Sequence, residues 1–527
     1  MVKILALDNV SEEGLAPLFA QEDLQVVRGE KMSEDELISV IGEYDALIVR
    51  SATKVTARVI AAAKKLKVIG RAGVGVDNIE VGAATEKGIL VVNAPDGNTI
   101  AATEHTIAMM LALARNIPQA VARIKEGVWD KKSFVGVELR GKVLGIIGLG
   151  RIGSAVAKRA QAMEMRVIAC DPYITEENAE SLGIALLSLP EIYRQADFIT
   201  IHVPKTKDTY HLINDEAFAL MKEGVRIINC ARGGIVDEAA LYRAMQTGKV
   251  AGAALDVLEK EPDLDTPLLT LPNFIATPHL GASTVEAQIN VARDVAEEIV
   301  AALRGKMVRN AVNIPQISMR AYALIGPYLG LAEKLGRFMA QLVRGRVNKI
   351  EITYSGEVFT QEVAPLTTAF LKGMLDPVLQ EAVSFVNAPI LARSRGIQVM
   401  QAIDGGAEGY ANLISARVVS DQEEKTAAGT LFGKTDPRIV LIDGYRIDIQ
   451  PAGYLLYVPH IDKPRIIGPV GILIGDHDVN IAFMQVGRKD RGGRAVMMLS
   501  IDAPIPQTTL EEIKKIDGVL DVRMISL

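Results

Sequence analysis

Cysteine is nearly absent, with two residues in 527. That excludes a disulfide-stapled fold. Cys170 and Cys230 each end an apolar strand-like run, so both read as reduced core residues of a cytoplasmic protein. Long hydrophobic runs are missing as well: none approaches the ~20 apolar residues that span a bilayer. The opening MVKILALD lacks the layout of a signal peptide. There is no surplus of positive charge. Lys and Arg number 58 against 64 Asp and Glu, a net charge of −6. This argues against bulk nucleic-acid binding, although a local basic pocket can still take an anionic small molecule. Histidine is scarce too, at six residues, which shortens the search for a proton-transfer group. No fixed-period repeat, low-complexity tract or metal site is expected.

What is present is a globular composition, 49% hydrophobic and 23% charged. At ~100–200 residues per domain the chain is too long for one core and predicts three or four. Residues 143–171 organise the reading: VLGIIGLGRIGSAVAKRAQAMEMRVIACD. An apolar strand runs into Gly148-Leu149-Gly150-Arg151-Ile152-Gly153, an Ala-rich helix follows, and a second strand closes on Asp171. Gly148 permits the tight turn, Gly150 lets backbone approach a pyrophosphate, and Gly153 lets helix pack on strand. Amides at the helix N-terminus favour a diphosphate, and Asp171 can accept both ribose hydroxyls while repelling a 2′-phosphate. The motif predicts a dinucleotide-binding unit that prefers NAD.

Strand and helix patterns alternate through the first ~100 residues, with apolar runs near 3–8, 24–28, 46–50, 67–71 and 89–93 and a capping box at Ser33. Alternation resumes after the glycine motif with runs near 198–203, 225–230, 251–257 and 274–276. Both stretches predict parallel, doubly wound sheets. Helices are expected over 98–115, 117–129 and 285–304. Beyond 316 the character changes. Residues 324–343 and 366–388 read as helices and 349–354 as a strand, while Asp443-Gly444 signals a hairpin. Residues 454–527 read as a βαββαβ unit with its own alternating core, able to fold or be lost separately.

A nicotinamide enzyme acting on an alcohol needs a proton acceptor, a group to orient it, and a cation for a substrate carboxylate. His279, in Thr277-Pro278-His279-Leu280-Gly281-Ala282, directly follows a strand, where open α/β sheets place their sites. Glu261 and Arg232 follow neighbouring strands. A carboxylate orients an imidazole and stabilises its cation, and an arginine fork suits a carboxylate. His105 lies in an apolar helix and reads as a packed core histidine, and His202, after a strand-like run, reads as bordering the cofactor.

The segments NCARGGIV (229–236), Asp256 with Glu261-Pro262, and Pro278-His279-Leu280-Gly281-Ala282 resemble the D-2-hydroxyacid dehydrogenase family. Arg50-Ser51-Ala52-Thr53-Lys54-Val55, residues 70–78 (GRAGVGVDN), Asn93-Ala94-Pro95 and Asn98-Thr99 resemble the branch that acts on 3-phospho-D-glycerate. Val386-Asn387-Ala388-Pro389 with Arg395-Gly396 is similar to that branch's intervening domain, and the C-terminal unit resembles an ACT domain. The resemblance implies two Rossmann-like domains, the substrate domain discontinuous around the nucleotide domain, then an α+β intervening domain and a ferredoxin-like ACT domain. The implied bounds are 1–98 with 289–315, then 99–288, 316–452 and 453–527.

By that resemblance Arg232, Glu261 and His279 are catalytic. Gly148, Gly150, Arg151, Ile152, Gly153, Asp171, Val203, Cys230, Ala231, Asp256, Leu280, Gly281 and Ala282 would line NAD. Val203 replaces the threonine of some relatives and keeps only packing or backbone contact. Arg50, Ser51, Lys54, Arg71, Gly73, Val74, Gly75 and Asn98 would bind substrate. The implied activity is NAD-dependent oxidation of 3-phospho-D-glycerate to 3-phosphohydroxypyruvate, the entry to L-serine synthesis, in a homodimer or homotetramer. His460, Asp462 and Asn480 match positions that bind an L-serine effector, commonly at a dimer interface, and Arg465 replaces a glycine usual there. A glyoxylate/hydroxypyruvate reductase and an NAD-sensing binding protein remain the alternatives.

Overall fold

Short β-branched runs become the strands of two parallel sheets, because helices cover both faces and leave the middle strands no polar side. The computed structural model describes every residue except 263, 316, 360, 361, 381, 407 and 408. The first sheet orders Leu24–Arg28, Val2–Ala6, Ala46–Val49, Val68–Arg71 and Leu90–Asn93. Leu37, Val59 and Ile60 pack on one face, and Val291, Val295 and Ile299 on the other. Ser33 caps the helix Glu34–Val40 with both halves of the expected box.

The second sheet orders Phe274–Ala276, Val250–Leu255, Val225–Asn229, Phe198–Ile201, Val143–Ile147, Arg166–Cys170 and Ala185–Leu186, again all parallel. Both sheets are doubly wound, as the sequence predicts. In each the strand order reverses once. The reversals lie between Val2–Ala6 and Ala46–Val49, and between Val143–Ile147 and Phe198–Ile201. Such a reversal opens a crevice outside the carboxyl ends of the strands.

The helix Val285–Leu303 leaves the second sheet and packs on the first, running unbroken through the 288/289 boundary. The chain then re-pairs with the first sheet: Asn93 N–H donates to Asn310 O (3.2 Å), and Val91 N–H to Asn313 Oδ1 (2.9 Å). The next expected boundary, at 316, falls outside the described residues.

A mixed sheet follows, ordered Gln398–Asp404, Val347–Gly356, Asn412–Ser420, Glu424–Phe432, Asp436–Ile442 and Tyr445–Ile449. Only its first pair is parallel. Asp443 and Gly444, at φ 49° and 75°, make the hairpin turn. The last sheet, ordered Ile481–Arg488, Arg494–Ile501, Tyr454–Ile461 and Arg523–Ser526, carries the helices Ile467–Gly475 and Gln507–Lys515. It has the expected βαββαβ order.

Two expectations fail here. The helix expected over 366–388 ends at Leu375, and a second runs from Ala388 to Ser394. Pro377 cannot extend the first helix, whereas Pro389 suits the opening turn of the second. Nor is the last unit separable. One face of its sheet has its own core, around Val458, Val470 and Met497. On the other face Leu455, Tyr457, Met498 and Ile525 share a core with Leu331, Phe338 and Ile442 of the preceding unit. A cut at 453 would expose that shared surface.

The helices Met319–Leu342 and Ala364–Leu375 cross at glycines. A Cβ on Gly336 would lie 2.0 Å from Phe370 O, and one on Gly373 1.9 Å from Glu333 O. Backbone cannot yield as a flexible side chain can, so Gly373→Ala is expected to destabilise this part by about 1–3 kcal/mol. Gly330→Ala, at a position in the first of these helices that meets nothing within 4 Å, should be neutral or stabilising. Thermal unfolding of both variants checks the contrast: a lower midpoint for Gly373→Ala only.

Candidate active site

The register of the second sheet brings the expected residues to one edge. Asn229, Leu255 and Ala276 are aligned across three adjacent parallel strands. Arg232, Glu261 and His279 each follow one of those strand ends. The turns touch: a Cβ on Gly233 would sit 1.8 Å from Leu258 O.

His279 Nδ1 donates to Glu261 Oε2 at 2.7 Å, with side chains 48% and 38% exposed. Glu261 Oε1 accepts from Leu258 N–H, which fixes the carboxylate against its own turn. Burial alone would raise the pKa of Glu261, but its hydrogen bond to His279 and the imidazole's charge hold it below the ordinary carboxylate range. A depressed carboxylate pKa means that its support is complete above the unfolded value and is lost only as pH falls through the lowered one. With Nδ1 committed to Glu261, Nε2 is the nitrogen left for a substrate proton. The His279 backbone lies in the left-handed region at φ 56°, a strained conformation for a non-glycine residue that marks functional turns.

Arg232 spans two units. Its Nε donates to Asp77 Oδ2 (3.2 Å) in the loop after Val68–Arg71, and its Nη1 to Ala231 O (2.7 Å). A Cβ on Gly75 would lie 2.1 Å from Arg232 Nη2, and one on Gly73 1.5 Å from Arg71 Nη1. Both glycines are therefore needed for guanidinium groups to lie on the loop. Burial, Arg232 and Arg50 together lower the Arg71 pKa to about 10, so Arg71 remains a cation at neutral pH. Arg71 Nε, Asn98 Oδ1 and Thr99 Oγ1 are buried with no hydrogen-bond partner among the described residues. Buried polar atoms left without protein partners fit a polar ligand. Ser51 and Lys54 are exposed at the rim, and Asp8 Oδ2 fixes the Arg50–Thr53 turn by accepting from both backbone amides.

The dinucleotide expectation can be tested on the glycine turn. Gly148 has φ 93°, and a Cβ there would meet His202 O at 2.6 Å and Val203 Cγ1 at 2.8 Å. A Cβ on Gly153 would meet Gly148 O at 2.0 Å, whereas Gly150 faces open space. The helix Arg151–Ala162 has no side-chain cap, so its first amides are free for a diphosphate. Asp171 accepts from Leu149 N–H and Tyr173 N–H, both at 2.8 Å, which ties it to the glycine turn. These features fit NAD. Arg151 pairs with Asp96 at 2.6 Å, on the connection between the first two sheets. Ile152 lies on the same helix, and Val203 packs toward Gly148.

Asp256 lies at the base of the turn that carries His279. Its carboxylate is 1% exposed and accepts from Leu280 N–H (2.7 Å) and Gly281 N–H (2.8 Å), so it holds the His279 turn; Ala282 follows in that turn. Burial drives the Cys230 thiol up to about 12, so it stays protonated beside Ala231. His105 is satisfied as expected but half-buried rather than in the core, and its partner, Asp256, is not evident from sequence spacing. His202 is half-buried against Thr200, and desolvation of its ring lowers its pKa to about 4, leaving it neutral. His211 lies with Asp237 and Glu259, a trio with metal-ligand spacing that sequence reasoning passed over. Its atoms are already committed: His211 Nε2 to Glu259 (3.0 Å), Glu259 to Glu238 N–H, and Asp237 to Ala240 N–H.

The three effector positions are not assembled in one chain. Asp462 sits where Tyr454–Ile461 ends, accepting from Arg488 Nη1 (3.1 Å) and Gly492 N–H. Asn480 lies at the other end of Ile481–Arg488 and donates to Asp502 (3.1 Å). His460 is 2% exposed, with Nδ1 donating to Val458 O. Arg465 adopts φ 68°, a left-handed conformation that favours glycine.

Comparison with known proteins agrees with this geometry. Residues 107–281 match the D-isomer specific 2-hydroxyacid dehydrogenase NAD binding domain. Residues 324–443 match the D-3-phosphoglycerate dehydrogenase intervening domain, and residues 456–518 the ACT domain. A D-lactate dehydrogenase from Aquifex aeolicus, solved with NAD and lactic acid, is 31% identical; the match has a TM-score of 0.53 and covers 59% of this chain and all of that one. The D-3-phosphoglycerate dehydrogenase of Bacillus subtilis is 45% identical, and that of Methanocaldococcus jannaschii 49%, each match covering 100% of both chains. With such identity along its whole length, and with the nucleotide-binding, intervening and C-terminal units matched in order, the chain belongs to the D-3-phosphoglycerate dehydrogenase family.

Proposed function

We propose that the chain oxidises 3-phospho-D-glycerate to 3-phosphohydroxypyruvate with NAD, the step that opens L-serine synthesis. The observation that carries this reading is the His279–Glu261 pair beside the cations Arg50, Arg71 and Arg232. Bound NAD supplies the hydride acceptor for C2. His279 Nε2 takes the C2 hydroxyl proton while Glu261 stabilises the imidazolium that forms. Arg232 holds the carboxylate and the oxygen becoming a carbonyl. Arg71, Arg50, Lys54 and the 73–75 backbone take the remaining negative charge, with Asn98 and Ser51 at the edge of the cleft. A simple glyoxylate or hydroxypyruvate reductase has no need of so many cations, and an NAD-sensing binder no need of an oriented acid/base. The same reading assigns 1–98 with 289–315 to substrate, 99–288 to NAD, 316–452 to an intervening unit and 453–527 to regulation.

His279→Ala is expected to lower kcat by ~10²–10⁴-fold, the usual cost of a lost general acid/base, with NAD affinity retained. Steady-state kinetics and NAD titration check it, and near-normal kcat would move the proton role elsewhere. Asp171 further predicts NAD over NADP by on the order of 100-fold in kcat/KM, since a 2′-phosphate would meet a carboxylate followed by Pro172 and Tyr173 rather than arginine. Comparable values for both cofactors would refute this.

The ACT unit is read as an L-serine site completed between two copies of the chain, His460 and Asp462 from one and Asn480 from the other. The shared core argues for substitution rather than truncation as the test. Serine should inhibit the full-length enzyme, and Asn480→Ala should raise the half-inhibiting concentration about tenfold, the loss of one hydrogen bond to a charged group, with uninhibited kcat unchanged. A full-length enzyme indifferent to serine would make the unit an assembly module.

A further inference from the structure

We propose that His105 is a positioning residue for the turn that carries His279, acting through the buried carboxylate of Asp256. The inference rests on the reading of His279 as the acid/base and goes one layer behind it. Asp256 Oδ1 receives Thr277 Oγ1–H at 2.5 Å, Leu280 N–H at 2.7 Å and the His105 ring at 3.1 Å; Oδ2 receives Gly281 N–H at 2.8 Å. His279 N–H itself donates to Asp256 O at 2.9 Å. The strained His279 backbone is thus fixed by a carboxylate binding the next two amides and by the carbonyl of the same residue.

The hydrogen-bond accounting fixes the role of His105. An ionised carboxylate only accepts, and the Thr277 hydroxyl has spent its proton on Asp256. His105 Nε2, 3.1 Å from Asp256 and 3.2 Å from Thr277 Oγ1, must therefore carry the hydrogen and share it between them. A carboxylate without solvent needs such donors to stay charged. Burial raises the Asp256 pKa, and the bonds from His105, Thr277 and Leu280 more than reverse that. Two other titratable groups feel this carboxylate: the Cys230 thiol, kept neutral by burial and close to Thr106, and the Glu261 carboxylate, which its bond to His279 keeps ionised. Without the His105 donor, Asp256 holds the turn less firmly, and an acid/base displaced by a fraction of an ångström loses rate rather than affinity.

The test uses three variants of the full-length enzyme. His105→Leu and His105→Phe remove the donor, and His105→Gln returns an N–H to the position of Nε2. The apolar variants should lose about tenfold in kcat, with KM for NAD and for substrate changed less than about twofold. Their primary isotope effect with C2-deuterated substrate should rise, and His105→Gln should stay within about twofold of the parent. Wild-type kcat in a folded apolar variant, or equal losses in all three, would overturn the inference, as would failure of both apolar variants to fold. His279→Ala is assayed in parallel. If that variant keeps full turnover, the reading of the active site itself fails; if it is inactive while His105→Leu is normal, only the positioning role does.

Discussion

A single buried anion, the carboxylate of Asp256, sets the geometry on which the proposed site depends. Placed at the end of the strand Val250–Leu255 and cut off from water, it must be satisfied by protein donors. The chain answers with two amides from the turn after the neighbouring strand, a hydroxyl from the same turn and a ring from the helix Thr99–Arg115. The result joins three elements at the point where His279 projects. The pairing of His279 with Glu261 is a later consequence, because it needs the strained turn to be held first.

Across the cleft the constraint is reversed. Arg50, Arg71 and Arg232 crowd together, and their mutual repulsion is relieved only partly by Asp8 and Asp77. A fold that gathers cations before a ligand arrives gives up stability, and a polyanionic ligand returns it on binding. Gly73 and Gly75 belong to this bargain, because any side chain there would occupy the volume of the two guanidinium groups.

Much of this was legible in the sequence, for physical reasons that also mark the limits. The glycine turn reads directly because close backbone approach allows no other residue at Gly148 and Gly153. Arg232, Glu261 and His279 follow strand ends, and parallel pairing turns equal offsets into proximity. The His105–Asp256 pair was not legible: its members are far apart in the chain, and each looks locally like a residue of its own element. Nor were the strands Gln398–Asp404, Asn412–Ser420 and Glu424–Phe432, where Gln, Ser, Thr and Gly dilute the apolar pattern. The two ends of Ile481–Arg488 could not be told apart without register, so the separation of Asn480 from His460 and Asp462 within one chain was not legible. The last sheet misled for a related reason. Period-two alternation reports that one face is apolar, but here both faces are, and the second is covered by another unit.

That shared core constrains how the C-terminal half can communicate with the cleft. Arg523, between Glu423 and Asp521, carries ionic contact across the seam that Leu455, Tyr457 and Met498 fill. Packed interfaces of this kind shift between discrete arrangements rather than bending, so a rearrangement of the last sheet must carry the mixed sheet with it. The mixed unit in turn touches the first sheet's unit, where Ser384 Oγ donates to Gly88 O at 3.1 Å. Gly88 lies two residues before the strand Leu90–Asn93, whose Asn93 side chain donates to Val74 O in the arginine-bearing loop. A ligand at the far end would act on that loop by biasing a stack of rigid bodies, and only in proportion to its differential affinity for their arrangements. The chain connection near residue 316 is not needed as a wire; the contacts themselves form the path.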